Sequence, residues 1–93
     1  MTYEEEIDEI RRTISRLNEE LVEKLAERVE LAVRIGAVKR RHDRSIVDTS
    51  REEKVHEQIR GLAKERHLDA EAVERVFREI INLCTDAQRE AHQ

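Results

Sequence analysis

Proline is missing from all 93 residues of this chain, tryptophan is missing too, and there are only two glycines. Sheets and tight hairpins need turn residues and β-branched or aromatic runs, so their scarcity excludes a strand-rich fold. One tyrosine and one phenylalanine are too few for a base-stacking platform. A single cysteine, Cys84, rules out an internal disulfide and fits a reducing compartment. With no histidine in reach by local motif spacing, it reads as a core or pocket-wall residue and not as a nucleophile. His42, His56, His67 and His92 show no metal-ligand spacing among themselves or with Cys84, so they read as surface or loop residues and no metal is expected. No apolar run approaches the length of about 18 residues that a membrane-spanning helix needs. The start, Met1-Thr2-Tyr3-Glu4-Glu5-Glu6, is acidic and unlike a targeting peptide, which points to a cytoplasmic protein. The basic cluster Lys39-Arg40-Arg41-His42-Asp43-Arg44 is short, holds an acid and lacks aromatic neighbours, so nucleic acid is not the expected partner.

What the chain does have is charge: 43% of residues are charged, with a net charge of −4, against 38% apolar. Such a balance can signal disorder, but here the apolar residues recur at steps of three and four, the period of a helix face. Three helices account for nearly the whole chain, giving an all-α fold in a single domain, 1–93. The first runs from about Tyr3 to Arg41 on the stripe Ile7, Ile10, Ile14, Leu17, Leu21, Leu25, Ala32, Ile35. His42 to Ser50 breaks the pattern and reads as a loop. Thr49 or Ser50 is placed to cap the second helix, with Glu52 or Glu53 at capping-box spacing. That helix carries Val55, Ile59 and Leu62 and fades near His67. Asp69 is placed to cap the third, whose stripe is Val73, Phe77, Ile80, Cys84 and Ala87. A first helix of about 38 residues is roughly 57 Å long. A compact chain of this size is only roughly 30 Å across. The simplest cover for the excess is a second copy, giving an intertwined homodimeric bundle of one long and two shorter helices per chain.

Several polar residues sit where these stripes call for apolar ones. Beyond Leu25 the first stripe continues through Arg28 and Lys39, and Arg11 lies on its edge one turn from Ile7 and Ile14. Glu52 falls on the second stripe with Arg51 beside it, and the third continues to Gln88. Unpaired buried charge is costly, so such residues find partners or a ligand. The plainest partners for Arg28 and Lys39 are Glu27, Glu30, Asp48 or Glu52. Yet the cations Arg11, Arg28, Lys39 and Arg51 outnumber the acids Asp48 and Glu52 by two, a surplus suited to a dianionic ligand. Gln88 adds a neutral donor and acceptor.

In order and without gaps, the run Leu25-Ala26-Glu27-Arg28, Leu31-Ala32, Gly36, Lys39, the loop His42 to Asp48, Arg51-Glu52, Phe77, Ile80-Ile81 and Gln88 resembles the all-helical chorismate mutases. The likeness covers about residues 7 to 90. It implies an enzyme that rearranges chorismate to prephenate in a homodimer, with no cofactor. By that resemblance Arg28 and Arg11, the latter from the other subunit, bind the two carboxylates of chorismate. Lys39 and Gln88 donate to the ether oxygen of the breaking C–O bond, and Lys39 also reaches a carboxylate. Glu52 and the Asp48 region hold the ring hydroxyl, and Arg51 supports the substrate side. Position 84 in such enzymes is often a serine that helps hold a carboxylate; here it is Cys84, a weaker donor. A unimolecular pericyclic reaction needs no nucleophile. It needs a flexible dianion held in a reactive chair and charge on the ether oxygen stabilised. An isochorismate pyruvate-lyase on the same scaffold and a non-enzymatic helical dimer whose buried charges fix register remain as alternatives.

Overall fold

A computed structural model describes residues 1–91, so His92 lies outside the described residues. Three helices follow in order: α1 (Tyr3–Arg41), α2 (Thr49–Glu65) and α3 (Ala70–Ala91). Each starts at a side-chain cap. Thr2 Oγ1 accepts from Glu5 N at 3.2 Å, and Asp69 Oδ1 accepts from Ala72 N at 3.1 Å. The cap of α2 is Asp48, whose Oδ1 accepts from Arg51 N at 3.1 Å. This corrects the reading that gave the cap to Thr49 or Ser50: a carboxylate reaches the same backbone donors and also suits the positive helix end. The first two helices end alike. Asp43 and His67 take left-handed backbone, with φ of 53° and 58°. Arg44 N then donates back to Lys39 O at 2.8 Å and Leu68 N to Ala63 O at 2.9 Å, closing the final turn in each case.

α3 packs against both α1 and α2, which do not pack directly on each other. The small core is Ala32, Val55, Ile59, Ala63 and Cys84, with the polar Gln88 buried among them. The stripes shift in detail. Ile35, expected inside, is 54% exposed and Gly36 beside it is buried; on α2, Leu62 turns outward and Ala63 takes its place. In both cases the smaller side chain is the buried one. His56, read as a surface residue, is half-buried, and its Nδ1 has no hydrogen-bond partner among the described residues. The first six turns of α1 carry an exposed apolar stripe: Ile10, Ile14, Leu17 and Leu21 are each about half exposed or more. The chain accordingly extends 61 × 27 × 14 Å, with a radius of gyration of 17.3 Å. A compact chain of this length has about 12 Å. No helix among the described residues is long and apolar enough to cross a membrane.

Candidate active site

Because α1 and α2 touch only α3, a gap remains between them beside their connecting loop. It forms a cavity of about 480 Å³, lined by Arg28, Ile35 and Lys39 from α1, by Ile46 and Asp48 from the loop, by Arg51, Glu52 and Val55 from α2, and by Ile81, Cys84, Thr85 and Gln88 from α3. Seven of the eight residues singled out from the sequence thus converge here. The eighth, Arg11, is exposed on α1, 28 residues before Lys39 and so about 42 Å away along the helix axis. Within one chain it cannot join the others.

The cations of the cavity are not neutralised by carboxylates. Among the described residues the ion pairs are Lys24–Glu27, Arg60–Glu74 and Arg66–Glu65, none of which involves Arg28, Lys39 or Arg51. Glu27, one of the acids considered as a partner for Arg28, turns instead to Lys24 at 3.1 Å. Arg28 donates from Nη1 to Cys84 Sγ at 2.9 Å, a long-range contact that joins α1 to α3. Cys84 Sγ is thus an acceptor toward Arg28, and its S–H is the weak donor that the sequence reading assigns toward a ligand. Lys39 Nζ donates to the Ile46 carbonyl at 2.6 Å, which ties α1 to the loop between two residues that both line the cavity. Asp48 has one carboxylate oxygen committed to the α2 cap.

Among the described residues, Gln88 is the polar side chain buried in the core, at 7% exposure, and its Oε1 has no hydrogen-bond partner there. A buried polar atom left unsatisfied costs about 1–3 kcal/mol, so a group that remains so is poised for something that arrives later. Two contributions escaped the sequence reading. Thr85 lines the cavity three residues before Gln88 and shares its helix face, so the same face count could have found it. The Ile46 carbonyl is a backbone group, and no residue pattern announces it. Chemically, the arrangement offers three cations against two carboxylates and an unsatisfied amide around an apolar wall. It suits an anionic organic ligand that must be held in one conformation.

Comparison with known proteins agrees with this geometry. The family described as chorismate mutase type II matches residues 10–89. The chain is 42% identical over 81 residues, 87% of its length, to the bifunctional chorismate mutase/prephenate dehydratase of Escherichia coli (strain K12). It is 36% identical over 88 residues, 91% of its length, to the protein of the same name from Aquifex aeolicus (strain VF5). It spans 21% and 24% of the lengths of these relatives. With three helices in the order the sequence calls for, a cation-lined cavity between them and a family match over most of its length, this chain belongs to the type II chorismate mutase family.

Proposed function

We propose that residues 1–93 act as one chorismate mutase domain, cytoplasmic and homodimeric, isomerising chorismate to prephenate without a cofactor. The observation that carries this reading is the cavity itself, where, among the described residues, Arg28, Lys39 and Arg51 have no ion-pair partner and Gln88 Oε1 has no hydrogen-bond partner. Arg28 binds one carboxylate of the substrate through charge-assisted hydrogen bonds, and Arg11 of the second subunit reaches in to bind the other. The two contacts fold the substrate so that the bond-forming carbons meet, which lowers the entropy left to lose in the transition state. Lys39 Nζ and the Gln88 amide donate to the ether oxygen as the C–O bond lengthens and charge gathers there. Glu52 and the free oxygen of Asp48 accept from the ring hydroxyl, and Arg51 steadies that end. Gln88 is a side-chain amide whose oxygen and nitrogen exchange places by rotation, so the buried group can present its N–H₂ to the substrate.

The uncovered first half of α1 supports the dimer, since its apolar stripe is shielded when a second α1 lies antiparallel along it. The test is to incubate the purified protein separately with chorismate and with isochorismate and to identify the products. Prephenate from chorismate is the expected result. Pyruvate released from isochorismate with chorismate untouched assigns the cavity to elimination instead, and turnover of neither overturns the enzymatic reading.

A further inference from the structure

We propose that Cys84 is a covalent modification site inside the cavity, taking small carboxylate-bearing electrophiles in preference to neutral ones. It is the sole cysteine of the chain. It is 3% exposed overall, yet it lines the cavity, so access to it runs through that space. Its Sγ sits 2.9 Å from Arg28 Nη1, a guanidinium that forms no ion pair among the described residues. A carboxylate entering to meet Arg28 therefore arrives beside the sulfur. A second observation points to a ligand at the same place: Gln88, one helical turn further along α3, lines the cavity at 7% exposure with Oε1 unpartnered. The cavity, at about 480 Å³, has room for a carboxymethyl-sized addition.

The chemistry balances as a simple displacement. With iodoacetate as the probe, a sulfur electron pair forms the S–C bond at the methylene, iodide leaves with the C–I pair, and the thiol proton passes to water. The new carboxylate stays within reach of Arg28 and fills the space an anionic ligand needs. Modification and ligand binding are then mutually exclusive. The inference rests on the cavity and its charges and does not depend on which reaction the cavity performs.

The experiment compares labelling rates of the whole protein by iodoacetate and by iodoacetamide, read by mass spectrometry, with the urea-unfolded chain as reference and Cys84→Ser as the unlabelled blank. Cation-lined clefts raise local anion concentration by about 10-fold or more. The iodoacetate-to-iodoacetamide rate ratio should therefore be about tenfold higher folded than unfolded, and should fall toward the unfolded value in 1 M salt, where the screening length is about 3 Å. Turnover of chorismate should disappear in proportion to labelling, while that of Cys84→Ser stays constant on exposure to the reagent. A ratio equal to that of the unfolded chain, or a folded chain that does not label, overturns the inference while leaving turnover intact. Selective labelling in a protein that turns over no chorismate upholds the inference and overturns the proposed reaction instead.

Discussion

Arg11 and Lys39 set up a test of subunit sharing that can be worked out in numbers. They are 28 residues apart on one continuous helix, about 42 Å, so a site that uses both takes them from different chains. Arg11→Ala removes a charge-assisted contact worth about 1.5–3 kcal/mol, a loss of at least about 13-fold. Lys39→Ala removes a donor to developing negative charge, a loss of about 10²–10³. An equal mixture of the two pure homodimers should then show no more than about 4% of parental turnover. After the mixture is unfolded and refolded together, half the dimers are mixed. Each mixed dimer has one site with every residue intact and one lacking both, so about a quarter of all sites are restored, by two-fold symmetry. The assay is chorismate consumption before and after exchange, with isotopic mass labels to count mixed dimers. If the labels show statistical exchange and turnover stays at the starting level, Arg11 and Lys39 do not share a site and the proposed dimer geometry is wrong.

Gln88→Ala should lower the rate about 10²–10³-fold while leaving helix content by circular dichroism at the parental level, because the side chain spends no hydrogen bond through Oε1 on the fold. A dicarboxylate mimic of the transition state should raise the melting temperature of the parent and raise it less in Arg28→Ala, since only the native state offers the cavity. His67→Gly should stabilise the protein by about 0.5–1 kcal/mol in urea titrations. Left-handed backbone costs a residue with a β-carbon roughly 1–2 kcal/mol, and part of that gain is returned by the freer unfolded chain. Leu21→Glu, on the uncovered stripe, should shift sedimentation toward the single chain and lower turnover with it.

Most of this architecture was readable because helix periodicity writes itself in side chains. The extents of α1 and the places of Arg28, Lys39 and Gln88 all follow from counting three and four. Counting identifies a face but does not say which neighbour it meets. The stripe through Ile14, Leu17 and Leu21 and the face through Ala32 and Gly36 follow one another along the same side of one helix, since Ile14 and Ala32 are five full turns apart. Ile35 lies about 60° to one side of Ala32 and Gly36 about 40° to the other, and it is the Gly36 side that is buried. The α2 cap was misplaced by one or two residues because three consecutive residues, Asp48, Thr49 and Ser50, can all serve as caps, and the choice among them belongs to the loop. The tie from Lys39 to Ile46 was illegible in principle, since its acceptor is a carbonyl that every residue possesses.

The uncovered turns of α1 also bear on how the protein's stability is to be expressed. In the proposed dimer the bare half of α1 is covered by the partner, so folding and association form one second-order equilibrium. Its unfolding constant then carries units of molarity, and each tenfold dilution removes about 1.4 kcal/mol per dimer from the apparent stability. The chain's abundance thereby becomes a variable of its fold, and a melting temperature that rises with protein concentration is the signature to look for.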